Sequence, residues 1–257
     1  MFCRSSKQRQ SKIDGKALLQ ANELMIAVTF ALPAESSAFL RRLGNKSRSD
    51  RQGIKTIRGK IADRTIDVLH TGVGEKTCRP RMARFLRDRQ FDCLISAGFA
   101  GALNDKLHAG DLLFAENFST IHLNEMRSGL ASSLIHRANL LTVPSIVESI
   151  DERQKIAQAT GAAAIDMETE FIARGCAEHG VPLLSLRVIS DTPSEPFPGP
   201  SKILFDVERQ RTNAMKLSLH LLGHPTAIPR LILFARRIAR ARRTLANALL
   251  EVVRAIG

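Results

Sequence analysis

The alternation of hydrophobic and polar positions predicts strands separated by helices. Short apolar runs of strand length lie at 25–30, 54–61, 65–71, 92–101, 111–118 and 183–191. Segments with helical spacing of apolar residues lie at 35–43, 76–89, 149–160 and 202–222, and a strand-to-helix junction at AAAIDME begins a helix that runs to about Glu178. This order of elements indicates an α/β fold with a mixed or mostly parallel sheet.

The last part of the chain has the pattern of a long amphipathic helix. Its apolar positions at helical spacing are Leu231, Phe234, Ile238, Leu245, Leu249 and Val252. Most arginines fall elsewhere on the helical wheel. We therefore predict three segments: a basic, disordered leader at 1–24, a main domain at 25–222, and a basic amphipathic C-terminal helix at 223–257.

The distribution of charge changes how the basic composition is interpreted. The formal net charge is +13, but residues 1–24 hold five Lys and Arg against two acids, and residues 230–257 hold seven Arg against one acid. Because the charge is concentrated at the two ends, we predict no nucleic-acid partner. The leader lacks the apolar core of a secretory signal and no apolar run reaches the length of a membrane span, which predicts a cytoplasmic protein.

Neither the cysteines nor the histidines have the spacing of a metal site. The four cysteines include no CxxC pair, and the seven histidines are scattered along the chain. The G-x-S-x-G elbow of a serine hydrolase is also absent from the sequence. The sequence therefore predicts no metal, no cofactor and no hydrolase triad, and leaves carboxylates as the candidate chemistry.

Two glycine-rich turns that follow predicted strands are candidate ligand contacts. The stretch TGVGE lacks the third glycine of a dinucleotide-binding fingerprint, because Thr77 stands at that position. Gly72 and Gly74 fit close backbone approach to a ligand and fit a tight turn with positive φ equally well. In AGFAG (97–101), Phe99 is a candidate wall of a pocket, and a simple bend after the strand is the alternative.

Three acids stand at positions where an α/β sheet presents residues to a ligand. Asp191 ends the apolar run 183–191, Glu35 follows the first strand, and Glu168 lies at a helix start. Ligands of open α/β sheets bind beyond the carboxyl ends of the strands. A carboxylate at the end of a buried strand is costly unless it is paired or lies in a site. Glu35 and Glu168 taken singly also fit first-turn acids that a helix dipole stabilises, whereas the combination favours one composite site.

Five sequence blocks in a fixed order resemble a known family. They are IAVTFALPAES, TGVGE, ISAGFAGAL followed by GD, AIDMETEFIA and GVPLLSLRVISD. Over about residues 25–191 the chain resembles 5′-methylthioadenosine/S-adenosylhomocysteine nucleosidases within the purine nucleoside phosphorylase superfamily. The resemblance implies a three-layer α/β/α fold with a mixed central sheet, a homodimer or higher homo-oligomer, and cleavage of the N-glycosidic bond of a purine nucleoside.

The resemblance also implies a role for each acid. Asp191 matches the acid that protonates the departing purine, Glu35 the residue that activates the attacking water, and Glu168 the residue that binds the ribose hydroxyls. Met167 and Ser190 are carried over as substrate contacts, with Arg187 in support. The glycine-rich turns add four candidate contacts: Gly72, Phe99, Ala100 and Gly101. Phe99 departs from the family, whose nucleosidases commonly have a small hydroxyl residue there.

Alternatives to the hydrolysis of a 5′-modified adenosine stay open. Phosphorylases of this superfamily carry an arginine after the first strand, where this chain has ALPAES with Glu35, so water is favoured over phosphate. The basic C-terminal helix fits packing on the domain or peripheral contact with an anionic membrane. The latter would suit the hopanoid-associated branch, which removes adenine from an adenosyl lipid. A nucleoside-binding protein without turnover is the alternative of another class.

Overall fold

A mixed β-sheet forms the centre of the computed structural model, which describes residues 24–87, 89–122, 135–196 and 227–256. The strands are β1 (Met25–Phe30), β2 (Gly44–Arg51), β3 (Ile54–Ile61), β4 (Arg64–His70), β5 (Cys93–Ala102), β6 (Leu112–Ala115), β7 (Ile135–Ala138), β8 (Leu140–Thr142), β9 (Ala164–Asp166) and β10 (Leu183–Asp191). The α-helices of these ranges are α1 (Pro33–Leu40), α2 (Glu75–Leu86), α3 (Ile150–Thr160), α4 (Thr169–Glu178) and α5 (Ala227–Ala255).

The sheet has a parallel centre and antiparallel flanks. Its strand order is β2-β3-β4-β1-β5-β10-β6-β7, and β9 joins the end of β5 and pairs with β8. Strands β4, β1, β5 and β10 are parallel neighbours, whereas β2, β3 and β4 pair antiparallel, as do β6 and β10. The carboxyl ends of the central strands therefore lie along one edge of the sheet, where α/β proteins bind ligands.

The two faces of the sheet are covered by different helices, so the predicted three-layer α/β/α fold is confirmed. On one face, Val28 packs in a core with Phe39 of α1 and Leu249 of α5. On the other face, the adjacent Ala27 packs in a core with Phe85 of α2 and Ile172 of α4. Successive strand residues point to opposite faces, which is why one apolar strand supplies both cores.

Helix α5 is part of the main core and not an appendage. Its C-terminal half buries Ala241, Leu245, Ala246, Ala248, Leu249, Val252, Val253 and Ala255. Its N-terminal half leaves Ile228, Ile232 and Leu233 between 41% and 59% exposed. The second half of the predicted C-terminal helix therefore packs in the same core as strands of the main domain. None of the helices in the described ranges is long and apolar enough to cross a membrane.

The sequence pattern missed the strands at both ends of the sheet order, β2 and β7, and merged two elements. Strand β2 is exposed along its whole length and has the polar sequence GNKSRSDR, so it carries no apolar alternation. It forms because it pairs antiparallel with β3 at the edge of the sheet. The run 111–118, predicted as one strand, is β6 followed by a short 3₁₀ turn. Residues 1–23 of the predicted leader (1–24) and the predicted helix at 202–222 lie outside the described residues.

Candidate active site

A cavity of about 520 Å³ lies beyond the carboxyl ends of β1, β5 and β10. The predicted site residues that line it are Glu35, Phe99, Ala100, Gly101, Met167, Glu168, Ser190 and Asp191. These residues come from four separate stretches of the chain. The fold thus brings together eight of the nine positions that the sequence indicated, including all three acids.

Gly72 is the predicted position that does not line this cavity, although its neighbour Val73 does. Its φ is +79°, and a Cβ at this position would collide with Cγ2 of Thr77. The turn therefore requires glycine for its own geometry, which is the interpretation that the sequence left open beside ligand contact. The same turn serves the site indirectly, because the Gly74 N–H donates to Oε1 of Glu168 over 2.9 Å.

Glu35 is fixed at the start of α1 with its carboxylate directed at the cavity wall. Its Oε2 accepts a hydrogen bond from the Leu32 N–H over 2.9 Å, and its Oε1 accepts one from the Phe99 N–H over 3.2 Å. Burial raises the pKa of Glu35, while these two hydrogen bonds and the charge of Arg187 oppose the rise. A carboxyl that protonates more readily than usual is suited to accept a proton from water.

Glu168 lies immediately before α4, beside a second buried acid. Burial, followed by the charge of Asp166, raises the pKa of Glu168 to about 8. Asp166 is itself held by the buried Arg187, whose Nη2 lies 3.0 Å from its Oδ2. Arg187 also donates to the Ser96 carbonyl over 2.7 Å, which anchors the start of α4 to β5. Arg187 therefore supports the Glu168 side of the site and is not paired with Asp191.

The raised pKa of Glu168 predicts a pH-dependent gain in stability for Glu168→Gln. Because the pKa rises from 4.5 to about 8 on folding, protonation stabilises the folded state fully below pH 4.5. That stabilisation is lost as pH rises to about 8. The uncharged Gln should therefore become more stable relative to the wild type between pH 5 and pH 8.5, measured by chemical denaturation. Glu170→Gln, on the exposed side of α4, is the control, and a pH-independent difference for Glu168→Gln would contradict the assignment.

Asp191 is paired with a buried arginine that sequence reasoning missed. Its Oδ2 forms an ion pair with Nη2 of Arg153, and its Oδ1 accepts a hydrogen bond from the Ser190 hydroxyl over 2.6 Å. Arg153 also donates from Nη1 to the Ala102 carbonyl over 2.8 Å and from Nε to the Val147 carbonyl over 3.0 Å. Both side chains are at most 4% exposed. Arg153 thus ties the end of β10 to β5 and to the segment before α3.

Arg153→Met is expected to lower the free energy of unfolding by about 3–5 kcal/mol, because it leaves the carboxylate of Asp191 buried without its counter-charge. The matched control is Arg174→Met, which breaks an ion pair with Glu170 whose side chains are 48% and 47% exposed. Exposed pairs contribute at most about 1 kcal/mol. Urea denaturation of both variants measures the difference. Equal losses in the free energy of unfolding would show that the buried ion pair stabilises the protein no more than the exposed one.

Helix α5 forms a further wall of the cavity, which the sequence pattern did not indicate. Its cavity-lining residues are Leu231, Phe234, Ala235, Ile238 and Arg242. This wall is apolar for two turns and ends in one cation. Within the described residues, no group of three or more His, Cys, Asp or Glu side chains is arranged to hold a metal ion. The chemistry of the cavity therefore rests on its acids, on the Asp191–Arg153 pair and on Arg242.

Comparison with known proteins relates the chain to nucleoside-cleaving enzymes. The chain is 24% identical over 196 residues to the 5′-methylthioadenosine/S-adenosylhomocysteine nucleosidase of Staphylococcus aureus strain JH9, an alignment that covers 65% of this chain and 86% of that protein. Its fold is similar to that nucleosidase from S. pneumoniae bound to the transition-state inhibitor MT-ImmA, with a TM-score of 0.65, 20% identity, and coverage of 91% and 100%.

A second solved structure with a similar fold is that of a futalosine hydrolase. The futalosine hydrolase of Helicobacter pylori strain 26695 matches with a TM-score of 0.65 and 16% identity, and its native structure covers 91% of this chain and 98% of its own. At the level of sequence, the profile of the phosphorylase superfamily matches residues 25–223, which is more than three quarters of the chain. Together with the mixed sheet and the cavity at its edge, this match shows that the chain belongs to the phosphorylase superfamily.

Proposed function

We propose that the protein is an N-glycosidase that hydrolyses a purine nucleoside modified at the 5′ position and releases the free base. The observation that carries this proposal is the convergence of Glu35, Glu168 and Asp191 on one cavity of a phosphorylase-superfamily fold. Support also comes from relatives at low identity that are nucleosidases. The retained acids argue against the alternative of a nucleoside-binding protein without turnover.

Each of the three acids is assigned one part of the reaction. When the bond between the ribose and the purine breaks, its electron pair leaves with the purine, which requires a proton, and positive charge develops on the ribosyl ring. We assign protonation of the purine to Asp191, which has to be in its protonated form for this step. We assign contact with the ribose hydroxyls to Glu168, whose ionised form would stabilise the cation. Glu35 accepts a proton from the water whose oxygen then bonds to the ribosyl carbon.

Water is a better acceptor than phosphate for this cavity. The acids that line it are Glu35, Asp166, Glu168 and Asp191, against the cations Arg153 and Arg242. Arg153 is already paired with Asp191. An ionised Glu35 near the reacting carbon would repel an incoming phosphate, whereas it can bind and deprotonate water.

The hydrolase proposal is tested by base release from a panel of nucleosides. Purified protein is incubated with methylthioadenosine, S-adenosylhomocysteine, 5′-deoxyadenosine and inosine, with and without phosphate, and the free base is measured. We expect release from at least one 5′-modified adenosine at a rate that does not depend on phosphate. Release only in the presence of phosphate would support a phosphorylase, and no release from any nucleoside would contradict the proposal.

The pH dependence of this reaction follows from the buried acids. Burial raises the pKa of Glu35, and it raises the pKa of Glu168 to about 8. Both groups are assigned roles that need the ionised form, so kcat/KM should rise with pH from 5 to about 8. The midpoint of this rise in kcat/KM should lie at a pH well above 4.5, the ordinary pKa of a carboxyl group. A flat profile across this range would contradict the assigned roles. The substrate for this measurement is a 4-nitrophenyl riboside, whose leaving group needs no proton, so that the profile reports on Glu35 and Glu168 and not on Asp191.

A lipid-linked nucleoside is a second candidate substrate, favoured by the apolar wall of α5. Leu231, Phe234 and Ile238 line the cavity, and Ile232 and Leu233 on the same half of the helix are exposed. An apolar helix face among arginines fits peripheral contact with an anionic membrane. Such contact would place the cavity beside the lipid that carries the nucleoside.

Sedimentation with anionic phospholipid vesicles tests this second candidate. Deletion of the C-terminal helix is unsuitable, because its second half belongs to the main core. The double substitution Ile232→Glu and Leu233→Glu changes only exposed positions and should abolish vesicle binding if α5 docks there. The matched control is Ile150→Glu, an exposed apolar residue at the start of α3. Absence of wild-type binding to these vesicles would eliminate the membrane candidate.

A further inference from the structure

We propose that Arg242 determines the substrate's 5′ substituent by binding an anionic group on it, a carboxylate above all. The inference rests on the proposed nucleosidase function and names the substrate class of the same cavity. It starts from the position of Arg242 on α5, where it lines the cavity together with Leu231 and Ile238. These three residues are seven and four positions apart, so they share one face of the helix.

Arg242 is a half-buried cation of the cavity that has no partner among the described residues. Its Nε is buried and has no hydrogen-bond partner. Across the described ranges no hydrogen bond or ion pair of its side chain is found. Buried polar groups are nearly always satisfied, and a charged donor left without an acceptor is costly. The other cation of the cavity, Arg153, differs because Asp191 satisfies it. Arg242 is therefore the group of the cavity to which a ligand would supply a hydrogen-bond acceptor.

The place of Arg242 in the cavity indicates which part of a nucleoside it would meet. The proposed base end lies at Asp191, at the end of β10, which pairs with Arg153 of α3. Glu168, immediately before α4, is the proposed ribose contact, and Glu35, at the start of α1, is the proposed base for water. The cavity wall at 143–147 adjoins the base end, because Arg153 donates to the Val147 carbonyl. The wall formed by α5 is then left for the 5′ substituent. This wall begins with apolar side chains and ends at Arg242, which suits a short alkyl chain that carries a terminal anion.

The chemistry of arginine favours a planar oxyanion at this point. A guanidinium presents several N–H donors in a fixed plane, and it binds carboxylate and phosphoryl oxygens with paired hydrogen bonds. The same chemistry would also bind inorganic phosphate. The two ligands would have different effects. Binding of a 5′ carboxylate would change which nucleoside is preferred, whereas binding of phosphate would make phosphate, in place of water, the acceptor of the ribosyl group.

The test compares two ligands of similar size that differ in one charge. The probes are 5′-(2-carboxyethylthio)-5′-deoxyadenosine and 5′-butylthio-5′-deoxyadenosine, and the readouts are Kd by calorimetry and kcat/KM for base release. The wild type should prefer the carboxylate. In Arg242→Gln this preference, taken as the ratio of the two affinities, should fall by about 10–100-fold, the size of one charge-assisted hydrogen bond. Arg242→Lys should keep part of it.

The matched control is Arg243→Gln, which removes an adjacent arginine that is exposed and does not line the cavity. It should retain the wild-type ratio. An equal ratio in wild type and Arg242→Gln would overturn the inference. So would a phosphate-dependent cleavage that Arg242→Gln abolishes, because this outcome assigns Arg242 to the acceptor. If neither nucleoside is cleaved, the proposed function fails, while the affinity ratio still decides whether Arg242 binds the carboxylate.

Discussion

Replacement of Asp191 by Asn is expected to lower kcat for nucleoside hydrolysis by about 10²–10⁴-fold, the usual contribution of a positioned acid. Asn has nearly the same shape and keeps one oxygen, which can accept from Arg153 or from the Ser190 hydroxyl. It cannot deliver a proton to the departing purine. The loss should therefore appear in kcat and to a smaller extent in substrate affinity.

The same substitution should also destabilise the protein, because it leaves the charge of Arg153 buried without a counter-ion. The two effects are separated by a matched control, Asp67→Asn. Asp67 is 1% exposed and pairs with Arg58 and Arg89 away from the cavity, so its loss should affect stability alone. Equal kcat in Asp191→Asn and the wild type, measured well below the unfolding temperature, would refute the assigned role.

Replacement of Glu35 by Gln should reduce hydrolysis by a comparable factor of about 10²–10⁴ for a different reason. Gln can still accept one of the two hydrogen bonds from the Leu32 and Phe99 N–H groups, so the start of α1 should keep its geometry. It has no basic oxygen to take a proton from water. Substrate affinity should change far less than kcat, and unchanged kcat would contradict the role.

An activated leaving group distinguishes these two acids. A 4-nitrophenyl riboside departs as a stabilised anion and needs no proton at the leaving atom. Asp191→Asn should therefore recover a large part of its activity on this substrate, whereas Glu35→Gln should remain impaired because water still requires a base. Equal impairment of both variants on both substrates would show that the two acids do not divide the reaction in this way.

Local sequence patterns were enough to predict an α/β fold with a mixed or mostly parallel sheet and to single out the three acids, whereas the three layers were implied by the family resemblance. Each central strand is a short apolar run, and parallel strands place their carboxyl ends at one edge, so Glu35 and Asp191 could be expected to lie close together. Strand β2 was not predictable in this way, because an exposed edge strand needs no apolar side chains and forms through its pairing with β3.

Contacts between residues distant in sequence explain what the patterns missed. Arg153 lies in a polar stretch of α3 and resembles a solvated helix residue, yet it reaches Asp191, which is 38 positions later in the chain. The basic pattern of the C-terminal segment likewise gave no sign that Ile238 and Arg242 would line the cavity. Gly72 does not line the cavity, and its turn geometry alone is enough to require glycine.

The central claim is hydrolysis of an N-glycosidic bond, and identification of the sugar product tests it most directly. The wild-type protein is incubated with methylthioadenosine in phosphate buffer, and both products are identified by mass spectrometry. The account predicts free adenine and an unphosphorylated 5-methylthioribose, with formation of both greatly reduced in Glu35→Gln. A ribose 1-phosphate product, or an intact nucleoside here and across the wider nucleoside panel, would contradict it.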